Sequence, residues 1–340
     1  MKKATVLVVL FLIFFSIPAA FFLLSRPTGN ARDVVYFEIK RNDTLSKVAK
    51  ELVATNLIVS DKFFVKYAQF SGQDTRMQAG YYELNRGMSA IEIVKLFNEG
   101  KVALEKFAVP EGKNIYEIAK ILAAKKLVEE PAFIAACYDK ALLARFRITS
   151  PSFEGYLFPS TYYIARGHTA ESYVELMATN FFKTFNRADV EKRAKELGVT
   201  FEQVVSMASI VEKEAGSPDE RPLIAAVYYN RLKDGKICGY KLQSCPTVIY
   251  AMTLVKGAAI ERPNIRESDI LMRHPYNTYI YRNIPPGPIA NPSKASMDAA
   301  LYPSKVDYLF FCSDNKGHNV FSRDYRVHEN YVRIYQKGGR

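Results

Sequence analysis

At 340 residues, with 49% hydrophobic and 24% charged side chains, the chain has room for two or three domains and is too rich in core formers to be disordered. Its formal net charge of +12 suits an anionic polymer or surface as partner. The four cysteines (Cys137, Cys238, Cys245, Cys312) form no CxxC pair, and the four histidines (His168, His274, His318, His328) are scattered, so neither type offers metal-ligand spacing.

In chain order, the first feature is Ala4 to Leu24, about 21 residues without a charge, enough for a hydrocarbon core of about 30 Å. Lys2 and Lys3 precede it, which predicts a cytoplasmic tip and a single-pass anchor over residues 1–24, with the rest of the chain outside the cytoplasmic (inner) membrane. A cleaved signal peptide processed near Ser16-Ile-Pro-Ala-Ala20 is the alternative; the apolar run continuing to Leu24 argues for the anchor. Export in turn argues against nucleic acid as the partner. Residues 25–33, with Pro27 and Gly29, read as a linker.

An internal duplication follows. Phe37-Glu-Ile-Lys-Arg-Asn-Asp-Thr-Leu-Ser-Lys-Val-Ala-Lys-Glu-Leu52 is echoed seventy positions later by Phe107-Ala-Val-Pro-Glu-Gly-Lys-Asn-Ile-Tyr-Glu-Ile-Ala-Lys-Ile-Leu122. Apolar positions keep their spacing (Val48 with Ile118, Ala49 with Ala119, Leu52 with Leu122) while polar ones drift. Each copy predicts strand, turn, helix, loop and second helix, with Asp43 or Thr44 capping the first helix. A short aromatic strand before a capped helix recurs at Ala79-Gly-Tyr-Tyr-Glu-Leu84 and at Thr161-Tyr-Tyr-Ile164. The modules are placed at 34–105 and 106–186, and a mainly helical region at 187–340.

In that region Arg187 to Glu196 predicts a charged amphipathic helix ending near Gly198, and Phe201 to Ala215 a more apolar one. On the second helix Glu214 falls at the shoulder of the apolar face over Val211 and Met207, Glu212 on the opposite shoulder, and Lys213 outward. The helix dipole and apolar neighbours would both raise a carboxyl pKa there, as a general acid requires. Periodicity alone favours a solvated Glu-Lys-Glu cluster on a helix end. Downstream, amides (Asn230, Gln243, Asn277), tyrosines and Pro/Gly-shaped loops concentrate, groups suited to sugar hydroxyls, N-acetyl groups and pyranose faces. Cys238 and Cys245 are close enough in sequence to form a disulfide or to remain thiols.

The turn Asn42-Asp43-Thr44-Leu45 resembles that of the lysin motif, a small wall-binding module. More extensively, Ala208-Ser-Ile-Val-Glu-Lys-Glu214, Asn230-Arg-Leu232, Leu242-Gln-Ser244, Pro246-Thr-Val-Ile-Tyr250, Tyr276-Asn-Thr-Tyr279 and Pro285-Pro-Gly-Pro-Ile289, with Glu154-Gly-Tyr-Leu-Phe-Pro159 upstream, resemble the endolytic murein transglycosylase family. The resemblance implies an α+β chain: an N-terminal transmembrane helix, duplicated lysin-motif-like modules, and a mainly helical lysozyme-like catalytic region with short strands. It implies a lyase that cleaves the MurNAc-β-1,4-GlcNAc bond, leaves 1,6-anhydro-MurNAc ends and needs no metal or cofactor; the expected anchor, which would place the site near newly made strands, adds the expectation that it terminates or trims nascent glycan. Glu214 is the implied catalytic residue, with Glu212 as alternative; Gln243, Asn230, Tyr276, Asn277, Tyr279 and Glu154 are the implied substrate ligands. Peptidoglycan strands, the membrane and peptidoglycan synthases are the implied partners. Two positions depart from the family pattern, Cys245 and Ser160, where aspartate is usual.

Overall fold

The computed structural model describes residues 16–340 except 41, 75–76, 166–167, 261–264, 337 and 339–340. Two antiparallel strands open the fold, β1 (Val34–Ile39) and β2 (Gly80–Asn85), registered with Val34 opposite Asn85 and Ile39 opposite Gly80. Alternation sends Phe37, Ile39, Tyr82 and Leu84 inward. Between the strands lie α1 (Leu45–Ala54) and α2 (Asp61–Phe70), and α3 (Ala90–Glu99) follows. Thr44, not Asp43, caps α1 by accepting from Lys47 N–H, while Asp43 accepts from Lys40 N–H and pairs with Lys47 at 2.6 Å. Ser89 and Glu92 cap α3 reciprocally, and Gly100 ends it in the left-handed region. Phe37, Phe64, Tyr82 and Phe97 close a core of ring-on-ring contacts. Each such side chain contributes about 1.5–3 kcal/mol by leaving water.

The duplication is realised at the same spacing. Strand β3 (Leu104–Val109) and α4 (Ile115–Ala124) repeat β1 and α1 seventy positions on; α5 (Glu130–Cys137) then stands for α2. Ile118, Ala119 and Leu122 are buried as Val48, Ala49 and Leu52 are. Strand β4 (Ser160–Ala165), paired with β3, and α7 (Ala170–Thr184) complete the copy. The copies differ between the second helix and the second strand. The first has only residues 71–79 there, the second has 138–159, which include α6 (Lys140–Arg145) and the Glu154–Pro159 segment.

The chain divides into two compact units, residues 1–106 with 163–167, and residues 107–162 with 168–340. In the second unit α8 (Arg187–Leu197) stops at Gly198, and a Thr200–Gln203 capping box starts α9 (Phe201–Glu214). Val204 through Val211 are all buried in α9, which packs against α10 (Arg221–Lys233), α11 (Cys245–Lys256) and α13 (Lys294–Leu301). The short α12 is Glu267–Ile270. A hairpin, β5 (Phe310–Ser313) with β6 (Asn319–Ser322), and α14 (Tyr325–Tyr335) end the fold.

The α+β character and the helical region with short strands match expectation; the transmembrane helix does not. Among the described residues no helix is long and apolar enough to cross a membrane. Helical residues 16–25 span about 15 Å, half of what a hydrocarbon core of about 30 Å needs. Residues 4–15 of the expected span lie outside the described residues. The single-pass inner-membrane placement is corrected with it. All four cysteines are free thiols. Cys238 is buried with Leu309 and Phe310, and Cys245 instead meets the Tyr279 hydroxyl at 3.0 Å.

Candidate active site

Helix α9 is buried continuously from Val204 to Val211, which fixes the direction in which its last turn emerges. Glu214 occupies that last position, half-buried, and reaches a cleft of about 420 Å³ lined by Tyr228, Arg231, Gln243, Cys245, Tyr279 and residues of β5, β6 and α14. Its Oε1 accepts two hydrogen bonds of 2.7 Å, from the Tyr228 hydroxyl and the Ser244 hydroxyl. No hydrogen bond falls on Oε2 among the described residues. Burial raises the Glu214 carboxyl above its ordinary value, and the two hydroxyls and the Arg231 guanidinium pull it back in part. Protonated, the carboxyl keeps its carbonyl-like Oε1 on the two donors and its proton on Oε2. Burial and the neighbouring carboxylate hold Tyr228 far above the usual phenol range, so it stays a donor.

Glu212 faces a different setting. It accepts from Ser293 N–H at 3.0 Å and from the Ser293 hydroxyl at 2.5 Å, with the Arg221 guanidinium at 3.7 Å. Burial pushes its carboxyl up, but the bonds from Ser293 and Ser296 and the Arg221 charge outweigh it, leaving the carboxyl below its ordinary value. Two carboxyls two residues apart are thus driven in opposite directions, one toward the acid and one toward the ion. Lys213 between them is exposed and donates to Gly112 O at 3.2 Å.

Of the residues expected to bind sugar, Gln243 and Tyr279 line the cleft beside Glu214. Gln243 is exposed and sits at φ +54°, a conformation costly for a side chain that long, fixed by its N–H on Thr278 O. Asn277 is fully buried; its amide donates to Ile270 O and Met272 O and accepts from Tyr279 N–H, so it shapes the turn that presents Tyr279. Asn230 donates to Val306 O and Tyr308 O, and Arg231 to Leu309 O and Leu242 O, tying the hairpin and the Gln243 loop to α10. Tyr276 is buried against Tyr250, with its hydroxyl over Gly287, where an added Cβ would come within 2.9 Å. Glu154 is 1% exposed, away from the cleft lining, and holds Ile115 N–H, the Tyr250 hydroxyl and the Asn291 amide. Asn291 in turn accepts from Leu157 N–H, and Ile289 N–H donates to Ser209 on α9, so the upstream and Pro-Pro-Gly-Pro motifs are tied into the packing around α9.

Sequence reasoning missed three groups. Tyr228 reads as one more core tyrosine of α10. Ser244 precedes Cys245-Pro246 and reads as a helix cap; it does hold the N-cap position of α11, but its hydroxyl makes no capping bond and goes to Glu214. Residues of the C-terminal helix, His328, Val332 and Gln336, also line the cleft and carried no motif.

A largely buried helix that delivers one carboxyl, its pKa raised by burial, into an open, polar cleft has the arrangement an acid-catalysing enzyme needs. The chain belongs to the YceG-like family, whose profile matches residues 37–334 and so runs through the first module as well. A curated relative from Bacillus subtilis, named endolytic murein transglycosylase, is 30% identical over 90% of this chain and 86% of its own length. One of the same name from Streptococcus pneumoniae is 26% identical over 89% of this chain, which spans 59% of that longer protein. A crystal structure of a YceG-like protein from Listeria monocytogenes superposes with a TM-score of 0.58 at 30% identity, covering 88% of this chain and 99% of that one.

Proposed function

We propose that this enzyme is an endolytic murein transglycosylase, a lyase in which Glu214 alone serves as acid and then base. The observation that carries the single-residue mechanism is the lining of the cleft: among its described residues Glu214 is the one carboxylate, and its Oε2 is free of protein bonds. A two-carboxylate glycosidase would need a second acidic group about 5–9.5 Å away to act as nucleophile or to activate water. Here the substrate supplies the second role. Glu214 Oε2–H protonates the GlcNAc O4 as the C1–O4 bond breaks, and the MurNAc acetamido oxygen bonds to C1. The MurNAc C6 hydroxyl then displaces that oxygen at C1, and the Glu214 carboxylate takes the hydroxyl proton, restoring the acid and leaving a 1,6-anhydro end. Glycan is the anionic polymer its charge of +12 suits. Action on nascent strands and partnership with synthases were expectations drawn from the anchor, and they lose that support with it.

Mass spectrometry of purified glycan strands after incubation tests the reading. Anhydro-ended products are expected, and Glu214→Gln should lower kcat by about 10²–10⁴ while the protein stays folded. Reducing MurNAc ends in place of anhydro ones would make the enzyme a muramidase, and full activity in Glu214→Gln would remove the acid from its role.

A further inference from the structure

One wall of the Glu214 cleft comes from α14 and the residue that caps it, where His328, Val332 and Gln336 form a stripe at i, i+4 and i+8. No residue of α14 is buried, yet the His328 ring is held in place. It stacks on Phe310 with centroids 5.2 Å apart and planes 22° apart, and Tyr325 flanks it at 6.2 Å. Phe310 itself lies under the Arg231 guanidinium at 5.7 Å. The two ring nitrogens differ. Nδ1 is sealed from solvent with no hydrogen-bond partner, whereas Nε2, also without a partner among the described residues, remains open to solvent.

That asymmetry settles the tautomer. A sealed N–H without an acceptor is a rarer and costlier orphan than a sealed lone pair, so Nδ1 carries the lone pair and Nε2 the proton. Burial lowers the pKa of the ring and the Arg231 charge lowers it further, together outweighing the opposite pull of Glu329, so the neutral imidazole is favoured at physiological pH. The cleft therefore holds a rigid, neutral donor that the two-step chemistry at Glu214 does not use.

We propose that His328 is a substrate-contact residue, its Nε2–H donating to a hydroxyl or acetamido oxygen of the glycan strand lying against Glu214. The assignment rests on reading this cleft as a glycan site. It gives the C-terminal helix a function beyond covering the hairpin: α14 is a wall that reads the sugar.

The test measures binding of peptide-free glycan strands to Glu214→Gln protein by calorimetry, in three backgrounds: no further change, His328→Phe and His328→Gln. Phe keeps the stack on Phe310 and loses the donor; the Gln amide places a donor near the Nε2 position. Expected are affinity about three- to tenfold weaker for the Phe variant, the worth of one neutral hydrogen bond, near-parent affinity for the Gln variant, and matched melting temperatures. In the Glu214 enzyme, His328→Phe should raise KM by a similar factor and leave kcat within about twofold. Parent-like affinity in a folded Phe variant overturns the assignment, as does equal loss in the Phe and Gln variants. Absence of glycan binding to the Glu214→Gln parent overturns the glycan reading of the cleft, and this assignment with it.

Discussion

The cleft around Glu214 and the dry network around Glu154 each contain a carboxyl that burial pushes above its ordinary range, Glu154 to about 8. They differ in what is left unbonded. Glu154 spends Oε1 on the Asn291 amide and Oε2 on Ile115 N–H and the Tyr250 hydroxyl, and no solvent reaches it. Glu214 spends only Oε1, and its other oxygen stands at an open cleft. A raised pKa therefore reports burial in both places; an unspent oxygen at an open cleft is what sets Glu214 apart as the proposed acid.

The largest effect that separates the two is expected for Glu154→Ala. It strands three buried donors, at about 1–3 kcal/mol each before relaxation, so the midpoint of denaturant unfolding should fall steeply. Folded variant should keep kcat within about tenfold of wild type, because Glu154 touches no reacting atom. A hundredfold loss of kcat with an unchanged midpoint would place Glu154 in the reaction and break the comparison. The pH dependence carries the same distinction. The folded-state pKa of Glu154 lies above its unfolded value, so the native protein holds the extra proton and stability declines as pH rises from about 4.5 to about 8. Glu154→Gln should flatten that decline in melts taken across the range.

Glu212 gives a smaller effect of opposite sign. Its folded-state carboxyl is depressed by Ser293, Ser296 and Arg221, so the stability it contributes is present above the unfolded value and lost as pH falls through the folded one. Glu212→Gln should cost about 1–2 kcal/mol at neutral pH, seen as a lower melting temperature, and leave glycan cleavage intact. A collapse of activity with the melting temperature preserved would transfer the acid role from Glu214 to Glu212.

Much of this contrast is legible in the sequence, and the illegible part has a physical cause. The 3.6-residue period of α9 places Glu214 and Glu212 on opposite shoulders, and the duplicated apolar spacing gives β1, α1, β3 and α4 at a seventy-residue offset. Spacing cannot say which amide points into a cleft. Asn230, Asn277 and Gln243 are alike on paper; the first two spend their amides on backbone carbonyls and only Gln243, at its left-handed backbone position, turns outward. Nor can it separate a core tyrosine from Tyr228, or a capping serine from Ser244, because both partners of Glu214 come from segments distant in sequence. Hydropathy of the N-terminal run reports transfer preference and not helix length, and the helical residues described there are 16–25 alone.

The finest test of the comparison concerns the two hydroxyls on Glu214 Oε1. Each bond favours the ionised carboxylate and so opposes the rise that burial imposes. Removing one, by Tyr228→Phe, should raise the Glu214 pKa further. The acid form is the one that starts the reaction, so the basic limb of the activity profile should move to higher pH, while the melting temperature changes little because the ring still packs on Phe311. The pH-optimum kcat should drop only by about fivefold, the worth of one neutral hydrogen bond that orients the carboxyl. Ser244→Ala should move the limb the same way. A limb that moves to lower pH would mean that the hydroxyls hold the protonated form instead, the reverse of what the donors do at Glu212, and Glu214 would then owe its raised pKa to them and not to burial alone.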